Sequence, residues 1–249
     1  MTGSVARLGH FGLFAGRMTA RALKRPFFLS EIARQTVRTC SSCLIPVVMV
    51  TMPLGMVIAL QGLSIFGLFG AQRMLSSLVA LAVLRELSPM LSTVLVAAQG
   101  GSACAAELGA MRISQELDAT DVMAVDSVKY HASPRLIALA VATPVLNVAG
   151  SIAGIFGAWL TAVLLRGENS GVFVSQLWSL TQPVDAYGGT LKTCVFGAFI
   201  GLISAYHGYH ATGGAEGVGR AVNRTVVQSV VVAIIANYVL SSALYGGLE

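Results

Sequence analysis

Long apolar runs separated by short polar connections set the organisation of the chain. Leu44 to Leu63 is twenty residues with Pro46, Pro53 and Gln61 as its only irregularities, the helix length that crosses ~30 Å of hydrocarbon. Similar runs extend from about Leu78 to Ala98, from Leu136 to Leu165, from about Thr193 to Tyr206 and from Val226 to Leu244. The third is thirty residues long and so tilts or continues beyond the bilayer. The fourth is short unless it begins before Lys192. The pattern predicts an all-α integral membrane protein with five transmembrane helices, one domain over residues 1–249 with its transmembrane region at 44–249.

Ahead of the first span, Leu8, Phe11, Ala15, Met18 and Ala22 recur at helical spacing, while Arg7, His10, Arg17, Arg21 and Lys24 line an adjacent face. That is the pattern of an amphipathic helix lying in the headgroup plane. "KRP" at 24–26 ends it, and a second short helix, capped near Ser30 and carrying Arg34 and Arg38, leads into the membrane. Residues 1–43 are therefore expected to form interfacial helices.

Composition agrees with a membrane protein: 55% of residues are hydrophobic, 11% are charged, and the mean hydropathy is +0.76, outside the soluble range. The net charge of +5 is concentrated before the first span, where seven Lys and Arg face Glu31 alone among the acids. Without interleaved aromatic platforms, this basic segment suits a cytoplasmic anchor and not a nucleic-acid surface. The first 43 residues lack an apolar core with a small-residue cleavage site, so the N-terminus is expected to stay inside. Five spans then put the C-terminus outside. On that orientation twelve Lys and Arg fall in cytoplasmic segments, against Arg73, Arg166 and Lys192 outside, with Arg85 inside the membrane. This is the positive-inside distribution.

Candidate chemistry is sparse. "CSSC" at 40–43 has no second pair or nearby histidine, so small residues at a helix entrance explain it better than zinc or redox chemistry. His207 and His210 sit three apart, but no carboxylate or thiol completes a metal set. The glycine-rich stretch 207–221 has no phosphate-binding pattern, since G-x-G at Gly217 and Gly219 meets Val222 where a third glycine belongs. No metal or nucleotide site is expected in this chain. Gly150, Gly154 and Ala158, and likewise Gly197, Gly201 and Ala205, fall at four-residue steps that let helix backbones approach closely. They predict a tightly packed bundle, with a dimer as one outcome.

Two polar features remain. Between spans two and three, residues 105–126 carry five acids and Arg112 on a helix-favouring, proline-free segment longer than a connector needs. A docking element for a cytoplasmic partner is favoured over a solvated linker. The second feature is "LRELSP" at 84–89, which holds Arg85 and Glu86 inside span two. Burying an arginine there costs ~2.5–3.5 kcal/mol on insertion scales. Following Arg85 around the helix gives Ser88, Ser92 and Gln99, a polar stripe that must face protein or water. An interhelical ion pair and a ligand cavity open toward the outside both fit.

"LRELSPMLSTVLVAAQGGSACAAELGAMRISQELDATDVMAVD", with "GMVIALQGL" in span one, "SPRL" opening span three and "GYHATGGAEGVGRAVNRTVV" before span five, closely resembles the MlaE/YrbE permease family. Its members are the membrane subunits of lipid ABC transporters that work with MCE-domain proteins. The resemblance implies a permease without catalytic chemistry that moves phospholipids or related lipids between the bacterial inner membrane and the outer envelope. It implies a second permease copy, a separate ATPase carrying ATP and magnesium at the cytoplasmic face, and a periplasmic ring of MCE-domain proteins. By position, Ile58, Gln61, Ile65, Phe66, Phe69, Arg85, Glu86 and Leu87 would line the lipid cavity. Glu107, Arg112, Glu116, Asp118, Asp121 and Asp126 would belong to the coupling helix against the ATPase. The chain departs from the pattern at Gln99, where the family often has a basic residue, and residues 1–26 match only in amphipathic character. The competing expectation is a membrane-embedded lipid-modifying enzyme with Glu86 or His207 as acid or base.

Overall fold

A computed structural model describes residues 2–22, 28–70, 74–165 and 167–245. No strand occurs among them, and five helical rods are long and apolar enough to cross a membrane: Leu29–Leu68, Leu75–Ile113, Val128–Leu165, Val184–Tyr209 and Gly214–Tyr245. Helix α1 (Thr2–Ala22) precedes the first rod, α2 (Leu29–Leu68). The second rod comprises α3 (Leu75–Leu81), α4 (Ser88–Val96) and α5 (Ser102–Ile113), joined through widened π turns at Ala82–Leu87 and Ala97–Gly101. A short helix, α6 (Glu116–Val122), leads to the third rod, α7 (Ser133–Leu160), with π turns at either end. Then follow α8 (Ser170–Leu180), α9 (Pro183–Tyr209) and α10 (Gly214–Tyr245). The end of the bundle bearing α6 and the 210–213 connection is called the basic end here, and the end bearing α8 the far end.

Helix α2 is 40 residues, about 60 Å at 1.5 Å per residue, twice a hydrocarbon core. The separate short helix expected from Ser30 is thus the first part of α2, because nothing between Leu29 and Cys43 is a glycine or proline to stop it. "KRP" lies outside the described residues. The fourth rod begins at Pro183, ten residues before Thr193. Its start is capped by reciprocal bonds between Gln182 and Asp185, the Gln182 N–H donating to Asp185 Oδ2 at 3.1 Å. Helix α8, which the hydropathy pattern does not announce, starts where Asn169 Oδ1 accepts from the amides of Gly171 (2.9 Å) and Val172 (3.4 Å). Its Phe173, 4% exposed, plugs a far-half core of Leu63, Leu75, Val79 and Ala158.

Helix α7 is the centre of the bundle, and small residues decide how closely its neighbours come. A Cβ at Gly55 would collide with the carbonyl oxygen of Gly154, and one at Gly157 with that of Met52, so α2 and α7 touch backbone to backbone. On the other side a Cβ at Gly197 would lie 2.5 Å from Leu139 O. Both glycine stripes seen in the sequence are therefore used inside one chain. Helix α1 docks on the basic half through Met18, which is fully buried, and Phe14, whose ring meets Tyr206 and His210 edge-on.

Candidate functional site

The chemistry of "LRELSP" begins with its proline. In a regular helix the Arg85 carbonyl would accept from the amide of residue 89, and Pro89 has none. The helix widens into the π turn Ala82–Leu87, and Lys192 of α9 supplies the missing donor, its Nζ lying 2.8 Å from Arg85 O. Helix α9 comes close enough because it crosses at Gly189, where a Cβ would sit 2.7 Å from Leu84 O. Lys192 has no exposed surface. It also donates to Glu86 Oε1 at 3.1 Å and Ser241 Oγ at 2.7 Å, while Asn237 Nδ2 (2.8 Å) and Ser241 Oγ (2.8 Å) donate to the two Glu86 oxygens.

Arg85 turns to the N-terminus of α9. Its Nε donates to Asp185 Oδ1 at 2.7 Å, and its guanidinium carbon lies 4.5 Å from the centre of the Tyr245 ring. Asp185 is 1% exposed and has two tasks, since its other oxygen caps α9. Further along the stripe, Ser88 Oγ lies 2.8 Å from both the backbone oxygen and Oδ1 of Asn147. Ser92 Oγ is buried without a partner among the described residues. Sequence inspection missed Asp185, Lys192, Asn237 and Ser241. A signal existed: Asp185 and Lys192 are seven apart with Gly189 between, an acid and a base on one face of α9.

Of the other residues matched to a lipid cavity, Ile58 and Phe66 are half-buried against the far-half core. Ile65 and Phe69 are 55% and 79% exposed, Gln61 is exposed and Leu87 half-buried. The polar partners of Arg85 and Glu86 come from α9 and α10, so the two groups have different neighbours within one chain. The Glu86 side chain remains 45% exposed.

The six residues matched to coupling divide similarly. Glu107 and Arg112 sit on the last turns of α5, which continues straight out of the second rod. Glu107 is held between Arg38 Nη1 (2.5 Å) and Arg135 Nη2 (3.0 Å), inside the bundle's basic end. The chain turns at Gln115, which adopts φ 61° without a glycine, a conformation costing a non-glycine residue ~1–2 kcal/mol. Ser114 Oγ steadies it by donating to Glu116 Oε1 at 2.9 Å. Asp118 pairs with Arg112 at 2.5 Å. Asp121 accepts from the Ser127 amide, and Asp126 from the Lys129 amide and Arg21 Nη1. At the end of α6, Val122 and the following Met123 are 87% and 70% exposed. His207 bonds Gln228 at 2.7 Å, and His210 bonds the Tyr206 carbonyl at 2.9 Å. Desolvation pushes the His210 imidazole below its ordinary value, opposed by that hydrogen bond.

Five long apolar rods, with Arg85 paired to Asp185 and Glu86 to Lys192 between them, define a multi-pass α-helical membrane protein. Residues 32–243 match the family described as Permease MlaE, and the chain belongs to that family of ABC transporter permeases. A probable ABC transporter permease protein of Rickettsia prowazekii is 34% identical over 238 residues, 96% of this chain and 92% of the relative. The intermembrane phospholipid transport system permease protein MlaE of Haemophilus influenzae is 34% identical over 78% of this chain and 74% of its own length. The chloroplastic protein Trigalactosyldiacylglycerol 1 of Arabidopsis thaliana is 33% identical over 94% and 67%. The family and the Rickettsia and Haemophilus relatives are named as permeases, so this chain is a transport permease and not a lipid-modifying enzyme.

Proposed function

We propose that the chain carries phospholipids or related lipids between the bacterial inner membrane and the outer envelope, driven by ATP hydrolysed on a separate subunit. The carrying observation is the far-half charge cluster, which offers Arg85 and a 45% exposed Glu86 side chain at a depth where charged groups face the bundle interior or a cavity, and where a lipid headgroup suits them. The name of the Haemophilus relative supports the substrate class. Charge supports an orientation with the basic end and N-terminus in the cytoplasm and the C-terminus in the periplasm. With Lys192 buried in the bundle and not outside as its position suggested, the balance becomes twelve Lys and Arg against Arg73 and Arg166.

On this reading two permease copies face each other across the exposed residues Gln61 and Ile65 of α2 and Phe69 just past it, together with Arg85 and Glu86, enclosing the lipid. A ring of MCE-domain proteins receives or delivers it at the far end. Because Arg85 holds Asp185, the test removes both charges together. Arg85→Gln with Asp185→Asn is expected to lower co-purifying phospholipid, measured as phosphorus per protein, by about tenfold, the equivalent of ~1.4 kcal/mol. Unchanged lipid in a well-folded double variant defeats the assignment.

The ATPase docks at the basic end on α6, whose first turn carries Glu116 and Asp118 and whose other end exposes Val122 and the following Met123. Solvent-facing apolar residues beyond a span call for a partner. Reversing the two acids, Glu116→Lys with Asp118→Lys, is expected to cut co-purifying ATPase about tenfold without loss of the permease. Undiminished association would place the contact elsewhere.

A further inference from the structure

We infer that a polar cavity at the basic end binds the phosphate of a phospholipid headgroup, separately from the Arg85 cluster at the other end. It lies between α2, α5 and α7 and measures about 110 Å³, ample for a phosphate-sized group where one water needs ~10–15 Å³. Arg135 forms one wall and is 8% exposed. Its Nη1 donates to His131 O at 2.7 Å and its Nη2 to Glu107 Oε2 at 3.0 Å, while its Nε is buried with no partner among the described residues. A guanidinium N–H shut away from water and left unpaired is costly, and the cavity is the place from which a partner could come. Thr39, Ser42 and Gln99 line the same space with further hydroxyl and amide groups.

The charge there favours an anion. Arg38 and Arg135 share the single carboxylate of Glu107, which leaves one positive charge in excess, and the neighbouring Glu31 is taken by Arg34 at 2.6 Å. The level favours a lipid. Ser42, Gln99 and Arg135 stand within two residues of Leu44, Ala98 and Leu136, where the apolar runs of three successive spans begin or end. Three helices thus hold the cavity at the plane where headgroup phosphates meet hydrocarbon. Ala138 and Leu139 continue its wall toward the apolar side, a surface that suits the glycerol end of acyl chains and is wasted on a free ion. The inference holds whether or not the chain moves lipid.

The test titrates purified, delipidated protein with dioctanoylphosphatidylglycerol and, separately, with inorganic phosphate, counting bound molecules by native mass spectrometry. The lipid is expected to bind and inorganic phosphate at equal concentration is not. Arg135→Gln, and Ala103→Met, which adds bulk to the cavity wall while leaving every charge in place, are each expected to weaken one lipid-binding event about tenfold. The Arg85→Gln/Asp185→Asn protein is expected to keep that event, so failure of the transport reading stays distinguishable. Equal affinity for inorganic phosphate would replace the headgroup with a small anion. Unchanged lipid binding in Ala103→Met, or loss of all binding in the Arg85/Asp185 variant, overturns the site.

Discussion

Replacing Lys192 with alanine is expected to destabilise the purified permease by about 3 kcal/mol, the lower part of the range for removing one partner of a buried ion pair. The lower part applies because Glu86 keeps Asn237 and Ser241 and is 45% exposed on its side chain. Loss of Lys192 also strands the Arg85 carbonyl, which Pro89 cannot satisfy. Thermal unfolding in detergent measures the effect. Adding Glu86→Gln to Lys192→Ala is expected to recover part of the loss, since the unpaired carboxylate disappears, and a double-mutant cycle isolates the coupling. A Lys192→Ala protein that melts like the parent would mean that water, and not the lysine, completes the widened turn.

The second large effect concerns the seam between α2 and α7. Gly157→Ala would drive a methyl group into the Met52 carbonyl, and Gly55→Ala into that of Gly154. Backbone cannot yield as a flexible side chain does, so each substitution is expected to cost about 1–3 kcal/mol or more from overpacking. Gly219 in α10 is the control: a Cβ there meets nothing within 4 Å. Gly219→Ala is expected to raise stability by up to ~1 kcal/mol through helix propensity alone. Equal melting temperatures for Gly55→Ala, Gly157→Ala and Gly219→Ala would show that the helices are not in backbone contact.

The five spans were legible because each apolar run is long and its chemistry local. Their ends were less so. Lys192 looked like the edge of span four, since hydropathy counts a lysine as polar wherever it sits, while its partner Glu86 is 106 residues away. Helix α8 was hidden for another reason: its Asn169 cap and its buried Phe173 have meaning only once a core exists to receive the ring. The turn at Gln115 carries no glycine or proline, so the break between α5 and α6 leaves almost no local trace. Arg85 and Glu86 announced themselves by cost alone. Pro89 was the overlooked clue, because a missing amide inside a buried helix demands a donor from elsewhere.

The pairing of spans two and four also bears on how the chain is made. Arg85 emerges from the ribosome 100 residues before Asp185, an interval of about 5–20 s at ~5–20 residues per second. Throughout it, the second span holds Glu86 and an arginine whose burial costs ~2.5–3.5 kcal/mol, before their partners Lys192 and Asp185 are synthesised. That cost favours holding the nascent second span at a wet or protein-lined site until α9 arrives. Span three, already complete, has to leave that flank open, so the charge cluster sets the order of assembly as well as the finished bundle.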